Sequence, residues 1–264
     1  MDKLSNPKQQ KRKPATIIQR LMTIVCLVVF IASAFYLVDA LYDYYTNRQV
    51  LADIQDVYRE NKEEAVEIDR NDSQTTVRSS FRDILSINNN IIGWITMNGT
   101  MVDYPILQAK DNAYYLNRNY KEEDSRAGSI FMDYRNDVTQ QERNTILYGH
   151  YMKDGSMFGQ LKRFLDEEFF EQNPYFYFDT LYDSYEVEIF SVYHTTTDFY
   201  YIETDFANNE AYHTFLDDIK ERSEVTTDIE LGTDDQIITL STCDYLLDRD
   251  KGRLVIHGKL VKRG

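Results

Sequence analysis

Hydrophobic and polar positions divide the chain into three parts. An apolar segment, residues 21–38, contains no charged residue. The polar stretch that follows carries apolar residues at spacings of three and four between positions 50 and 58, which predicts one or two amphipathic helices. From about Arg78 the apolar segments become short, several alternate, and turn sequences such as "MNGT" and "KDGS" separate them. This pattern predicts an antiparallel β-barrel or sandwich.

Longer helix-prone stretches interrupt the predicted strands. Two of them are "NAYYLNRNY" and "GSMFGQLKRFLDEEFFEQNP", and a third covers residues 204–223. In the third stretch Thr204 is a suitable N-cap, and Phe206, Phe215 and Ile219 contribute to a partial apolar face. We therefore expect helices added to a mainly β domain.

The apolar segment is long enough to be a membrane anchor. Its 18 residues would span roughly 27 Å as a helix, close to the thickness of the hydrocarbon core. The first 20 residues carry six cations and one acid, which predicts a cytoplasmic N-terminus. A cleaved signal peptide is the alternative, but "VDALYDYY" offers no good cleavage site. We expect a cytoplasmic tail (1–20), a transmembrane anchor (21–42), a helical linker (43–77) and an extracellular catalytic domain (78–264).

The charge balance excludes one class of partner. The chain has 44 acidic and 29 basic residues and a net charge of −15, and part of its basic residues precede the anchor. Nucleic-acid binding needs clustered cations, so we expect no nucleic acid as partner. We find no convincing spacing of metal ligands and expect neither a metal nor another cofactor.

The two cysteines lie in different compartments under this interpretation. Cys26 is inside the anchor, and Cys243 ends the apolar run "QIITLSTC" in the exported part. The two cannot pair, so Cys243 is a reactive thiol, a partner for another chain or a buried inert residue. The end of a buried strand is a rigid support at which a side chain can reach a pocket. A nucleophilic role requires a helper, because the free thiol has a pKa of about 8.5.

Four histidines are candidates for that helper. His150 ends "NTILYGH", another apolar strand that delivers a side chain to a loop, and it is our first choice. His194, at the end of "SVYH", is the second choice. His213 lies among acidic residues of a predicted helix and indicates a surface position, and His257 lies within the last predicted strand.

An arginine near the end of the chain is a candidate for stabilising an oxyanion. Arg253 opens the last predicted strand, "RLVIHGKLV", ten residues after Cys243. Two adjacent antiparallel strands would bring Arg253 back beside Cys243, where a guanidinium can stabilise developing negative charge. Arg249 is a rival in the middle of the intervening loop.

Taken together, these motifs resemble those of class B sortases, which are membrane-anchored cysteine transpeptidases of Gram-positive bacteria. "TLSTC" followed by an arginine and preceded by "YGH" resembles the sortase signature. The segments "IIGWITMNGTMVDYPILQAKDNAYYLNRNY", "AGSIFMDYRND" and "NTILYGHYMKDGSMFGQL" extend the resemblance over about residues 84–261. It implies an eight-stranded sortase β-barrel with N-terminal helices and a long helix between strands 6 and 7.

The resemblance also implies the residues of the site. It implies a catalytic triad of His150, Cys243 and Arg253. The substrate-binding positions that it implies are Asp103 and Leu107 on one side, Thr197, Tyr201 and Ile202 on the other, and Ser241 in the same pocket.

The activity implied is that of a thiol-dependent transpeptidase and cysteine protease of the cell membrane. It would cleave a C-terminal sorting signal similar to Asn-Pro-x-Thr-x after the threonine and join the acyl group to an amine of a peptidoglycan precursor or a pilin. The chain ends at "VKRG" after its last strand, which favours class B anchoring over a class C polymerase. A role in pilus assembly, a peptidase that only hydrolyses and pairs Cys243 with His257, and an anchored scaffold stay open as alternatives.

Overall fold

The computed structural model describes residues 16–68, 77–140, 142–243 and 246–263 of the chain, so most of the predicted tail lies outside it. Its helices are α1 (Ile17–Ile68), α2 (Arg82–Ile87), α3 (Glu167–Gln172) and α4 (Asn209–Glu221). Three further segments form short 3₁₀ turns, Ser79–Phe81, Tyr114–Asn117 and Leu161–Leu165.

In the described residues, eight strands form a closed barrel in the order β1-β2-β3-β4-β7-β8-β6-β5. The strands are β1 (Ile91–Thr96), β2 (Asp103–Leu107), β3 (Ile130–Met132), β4 (Asn144–Tyr148), β5 (Tyr175–Thr180), β6 (Ser184–Thr196), β7 (Ile237–Cys243) and β8 (Gly252–Lys262). The predicted β-barrel is therefore confirmed. Two neighbouring pairs, β2 with β3 and β4 with β7, are parallel rather than antiparallel, because long connections separate them in the chain.

Apolar side chains on the two faces of β7 belong to different cores. Ile238 and Leu240 pack in the main core of the barrel, whereas Ile237 packs with Val255 of β8 and with helix α4. The strand is covered on both faces, which explains why its sequence is an almost continuous apolar run. The end of β7, where the run stops, is therefore held rigidly.

The helical predictions between the strands were too long. Helix α4 begins at Asn209, and its N-cap is Asn208, whose side chain accepts from the Ala211 N–H at 2.8 Å, rather than Thr204. Asp166 caps α3 and divides the second predicted stretch into a 3₁₀ turn and a short helix. In "NAYYLNRNY" only a 3₁₀ turn forms. The long helix between β6 and β7 is present as α4.

The chain divides into two compact units, one ending at Thr46 and the other running from Asn47 to Gly264. The apolar part of α1 is long and apolar enough to cross a membrane by length and composition, which is consistent with a single anchor. The boundaries after residues 20, 42 and 77 that the sequence suggests stay predictions.

Residues 54 and 58 of helix α1 pack within the second unit. Ile54 and Tyr58 are buried in one apolar cluster with Ile84 and Trp94. The Tyr58 ring stacks on Trp94 with centroids 4.0 Å apart, and its hydroxyl donates to Asp179 Oδ2 at 2.8 Å. Ile54 and Tyr58 of α1 therefore pack with residues of the second unit in an apolar cluster that is distinct from the main core of the barrel.

Candidate active site

Cys243 and Arg253 lie directly opposite each other on neighbouring strands. Cys243 is the last residue of β7, and the antiparallel register with β8 pairs it with Arg253. The Cβ atoms of directly opposed residues lie about 4.5–5.5 Å apart, so the guanidinium reaches the surroundings of the thiol. The register confirms the strand pairing expected from the sequence, and both side chains are half-buried.

His150 approaches the same place from the other side of β7. Strands β4 and β7 are parallel, and their register pairs Tyr148 with Ser241. His150 and Cys243 each follow this pair by two residues, so neighbouring strands deliver both side chains to one end of the barrel. There is no room for a side chain at Gly149, because a Cβ there would lie 2.7 and 2.9 Å from Cδ2 and Cγ of the Phe158 ring.

A cleft of about 290 Å³ joins these side chains. The residues that line it are Asn112, Leu116, Phe131, Tyr148, Gly149, His150, Ser241, Thr242, Cys243 and Arg253. Sequence reasoning identified His150, Ser241, Cys243 and Arg253 among them. It missed Asn112 and Leu116, since the loop after β2 carries no pattern that distinguishes them from ordinary loop residues.

The backbone holds the ring of His150. Its Nε2 lies 2.7 Å from the Leu116 carbonyl oxygen. A carbonyl only accepts hydrogen bonds, so Nε2 must carry the hydrogen and Nδ1 is left as the second nitrogen of the neutral ring. The carbonyl of His150 in turn accepts from the Phe158 N–H at 3.0 Å. A histidine fixed in this way can move a proton at its other nitrogen.

Tyr201 supports the floor of the cleft. Its side chain is buried, and its hydroxyl lies 2.8 Å from Ser241 Oγ. Burial raises the pKa of Tyr201, while the hydrogen bond with Ser241 and the nearby Arg253 partly oppose that rise. Arg253 Nη1 also donates to the carbonyls of Asp250 and Gly252, at 3.1 and 2.8 Å. The backbone at the start of β8 therefore fixes the guanidinium of Arg253, which lines the cleft together with Cys243.

Of the predicted substrate residues, Asp103 and Leu107 lie outside this cleft. Asp103 accepts from Trp94 Nε1 at 2.8 Å and from Arg59 Nη2 at 2.7 Å, and it lines a different cleft of about 520 Å³. Leu107 is completely buried in the cluster that also contains Phe131. Neither side chain is among those that line the cleft beside Cys243.

The other predicted positions lie in the segment that follows β6. Thr197 is exposed, and its N–H donates to the Lys251 carbonyl at 3.0 Å. Ile202 is half-buried, and its carbonyl accepts from Arg135 Nη2 at 3.0 Å. Tyr201 lies between them and contacts Ser241. The segment is thus fixed next to the cleft, although only Ser241 of the predicted substrate residues lines it.

His257, the partner in the alternative peptidase, is enclosed in the barrel wall. It is completely buried, with Nε2 2.8 Å from the Tyr193 hydroxyl and Nδ1 2.9 Å from Thr239 Oγ1. The Thr239 hydroxyl donates to Asn144 Oδ1 at 2.7 Å, so His257 Nδ1 must donate to Thr239. Burial lowers the pKa of His257 to about 3. This neutral and fully bonded ring does not reach the cleft.

The remaining histidines are also placed away from it. His194 Nδ1 lies 3.0 Å from Glu224 Oε1, and His213 pairs with Asp217 on the exposed face of α4. Among the described residues, no three His, Cys, Asp or Glu side chains converge as metal ligands would. His150 is therefore the histidine that the fold brings to Cys243.

A protein-family model, described as "Sortase domain", matches residues 95–261 of this chain. The chain is 45% identical to Sortase B of Listeria monocytogenes over 247 residues, covering 92% of this chain and 96% of that relative. It is 42% identical to Sortase B of Staphylococcus aureus over 189 residues, covering 72% and 78%.

Solved structures give the same relationship. A crystal structure of sortase B from Bacillus anthracis aligns with a TM-score of 0.74 and 55% identity, covering 84% of this chain and 100% of that one. The substrate complex of Staphylococcus aureus sortase B aligns with a TM-score of 0.76 and 37% identity, covering 83% and 98%.

Proposed function

This chain belongs to the sortase family, as a class B member and a cysteine transpeptidase, and we propose that it cleaves sorting signals of the form Asn-Pro-x-Thr-x after the threonine. The observation that carries the proposal is the meeting of His150, Cys243 and Arg253 at one cleft. These three residues supply a nucleophile, a proton carrier and an oxyanion partner, which are the groups that acyl transfer requires.

The first half-reaction forms a thioester. The Cys243 thiolate attacks the threonine carbonyl carbon, and the negative charge moves to the carbonyl oxygen. The Arg253 guanidinium stabilises that oxyanion from the opposite strand position. His150 holds the proton lost by the Cys243 thiol on Nδ1, as an imidazolium, and gives it to the leaving nitrogen as the C–N bond breaks. The carboxyl-terminal fragment departs as an amine, and the acyl group stays on Cys243.

The second half-reaction transfers the acyl group. An acceptor amine attacks the thioester carbonyl, and Arg253 again stabilises the oxyanion. His150 takes the proton from the attacking nitrogen, the new amide forms and Cys243 leaves as a thiolate. One C–N bond is broken and one is made, so the exchange needs no other reactant. We propose an amine of a peptidoglycan precursor as the acceptor, with a pilin lysine as the alternative that the experiment below separates.

The peptide is proposed to lie along the cleft next to Cys243. Ser241, supported by Tyr201, forms its floor. Asn112 and Leu116 line the opposite wall, and we assign to them the contacts that the sequence assigned to Asp103 and Leu107. Thr197 and Ile202 flank the floor through the segment after β6.

Thr197 and Ile202 therefore belong to the proposed binding surface as neighbours of Tyr201 rather than as lining residues.

We further propose that α1 anchors the protein with its N-terminus in the cytoplasm and the barrel outside the cell. The basic residues before the apolar segment support that orientation. Both substrates, a secreted protein and a wall precursor, would then meet the enzyme at the outer face of the membrane.

The test is a transfer assay with separated products. The protein is incubated with Asn-Pro-x-Thr-x peptides and either a glycine-based amine that represents the wall precursor or a lysine-containing pilin-like peptide. We expect ligated peptide with the glycine amine and little free acid. Free acid as the sole product would favour the hydrolysing peptidase, and ligation to the lysine peptide alone would favour pilus assembly.

A further inference from the structure

Asp133 is a completely buried carboxylate immediately behind the cleft. It directly follows β3. Arg135 donates two parallel hydrogen bonds to it, from Nε to Oδ1 and from Nη2 to Oδ2, each 2.8 Å long. A bidentate pair of this kind is stronger than hydrogen bonds between neutral groups, and its planar geometry makes it directional. The pair can therefore fix the positions of the residues that bond to Asp133 and of those that bond to Arg135.

On one side, Asp133 holds two residues that line the cleft. The Tyr148 hydroxyl donates to Asp133 Oδ2 at 2.8 Å, and Asn112 Nδ2 donates to the same atom at 3.0 Å. Asn112 Oδ1 accepts from the Tyr134 N–H at 3.0 Å, so both ends of its amide are fixed. Burial alone would raise the pKa of Asp133, but the bonds from Arg135, Tyr148 and Asn112 lower it to about 2.

On the other side, Arg135 holds the segment after β6. Its Nη1 donates to the Tyr200 hydroxyl at 2.9 Å, and its Nη2 donates to the Ile202 carbonyl at 3.0 Å. Tyr201 lies between these two contacts, and its hydroxyl meets Ser241 Oγ on the floor of the cleft. With the two bonds to Asp133, four of the N–H groups of Arg135 donate.

We propose that Asp133 and Arg135 form a positioning pair that fixes the two walls of the peptide cleft relative to each other. Neither residue is among those that line the cleft, so the pair acts through Asn112 and Tyr148 on one wall and through the segment 200–202 on the other. A polar network in which the members satisfy one another rigidifies its surroundings, and this pair joins both walls in one such network. The inference rests on the proposed function, since it assigns the cleft to the peptide.

The test compares Arg135→Lys with the matched control Arg143→Lys in the full chain in detergent. A lysine keeps the charge but cannot form the planar fork, so it releases the segment 200–202. Arg143 also bonds backbone outside the cleft, through Nη1 to the Asn208 carbonyl at 3.1 Å, and stacks on Tyr212. For a peptide containing Asn-Pro-Ala-Thr-Ala, we expect Arg135→Lys to raise KM about tenfold or more while kcat changes less than about threefold. Arg143→Lys should keep both values.

A second readout does not depend on turnover. Amide hydrogen exchange over residues 197–203 should be faster in Arg135→Lys than in Arg143→Lys, while alkylation of Cys243 by iodoacetamide stays at the wild-type rate in both. Unchanged exchange and unchanged KM in Arg135→Lys would overturn the proposal.

The two readouts also separate this inference from the proposed function. Suppose that exchange over residues 197–203 is faster in Arg135→Lys, but that the wild-type protein turns over no peptide. This result would support the positioning pair and contradict the proposed peptide substrate. If Arg135→Lys does not fold, Tyr200→Phe decides, since it removes one hydroxyl at an exposed ring. It should raise KM and speed exchange in the same direction, and wild-type values for both would overturn the proposal.

Discussion

Acidification should destabilise the folded domain through His257. Complete burial lowers the pKa of this imidazole from 6.5 to about 3, so it stays neutral in the folded protein. The same ring takes up a proton near pH 6.5 in the unfolded chain, which then binds more protons than the folded one. The free energy of unfolding therefore falls as the pH falls, by about 1.4 kcal/mol per pH unit well below 6.5.

The size of this effect follows from the two pKa values. Between pH 7 and pH 5 the loss amounts to about 2 kcal/mol, and near pH 3, where the folded protein also takes up the proton, it approaches about 5 kcal/mol. A loss of 2 kcal/mol is a substantial part of the stability of a domain of this size. The window from pH 7 to pH 5 is the useful one, because Asp133, whose pKa is lowered to about 2, reduces stability only at lower pH.

The assay is urea denaturation of residues 47–264 at pH 7, 6 and 5, with His257→Gln as the variant and His213→Gln as the control. His257→Gln should be less stable at pH 7, because Tyr193 and Thr239 lose a buried partner. Its free energy of unfolding should then change by about 2 kcal/mol less than that of the wild type between pH 7 and pH 5. Other titrating groups are shared and cancel.

His213→Gln is the matched control, since its side chain is exposed on α4 and its removal leaves no buried group without a hydrogen-bond partner. An equal loss of stability in the wild type and in His257→Gln over this range would refute the assignment of a buried neutral imidazole.

Three further outcomes are expected. Arg253→Lys should slow acylation by about a hundredfold or more in stopped-flow peptide cleavage, because it removes the planar partner of the oxyanion, whereas Arg249→Lys in the neighbouring loop should keep the rate. A slow Arg249→Lys and a fast Arg253→Lys would contradict the role of Arg253 at the oxyanion. Tyr58→Ala should lower the free energy of unfolding by about 3–5 kcal/mol, because its ring stacks on Trp94. A loss below about 1 kcal/mol in urea denaturation would show that the packing of Tyr58 does not stabilise the domain. Tyr201→Phe should reduce kcat/KM about tenfold, because it removes a hydroxyl bonded beneath the cleft; wild-type peptide kinetics would exclude that contribution.

Local patterns were sufficient to predict the strands and the ends at which reactive side chains lie. The apolar run before Cys243 and the one before His150 are strands β7 and β4. The spacing between Cys243 and Arg253 fits two antiparallel strands, and the register pairs the two residues. The two strands and the pairing of Cys243 with Arg253 depend on residues that are close in the chain. Hydrophobic periodicity and turn residues are therefore enough to predict them.

Contacts between distant segments could not be predicted in the same way. The parallel pairing of β4 with β7 joins strands about ninety residues apart, and neither sequence specifies the other. Asp103 was assigned to the cleft from its place in a motif, but its carboxylate bonds Trp94 and faces a different cleft. Asn112 lies in the loop after β2, and its amide is oriented by Asp133, which directly follows β3 and is 21 residues away in the chain.

The most direct test of the account is the mass of the intact protein during reaction with peptide. Cys243 is expected to carry an acyl group equal in mass to the peptide cut after threonine, and the adduct should disappear when a glycine-based amine is added. Cys243→Ala should show no adduct while remaining folded, and Arg249→Lys should form it as the wild type does. An adduct of the same mass in Cys243→Ala, or peptide transfer by that variant, would contradict the assignment of Cys243 as the nucleophile.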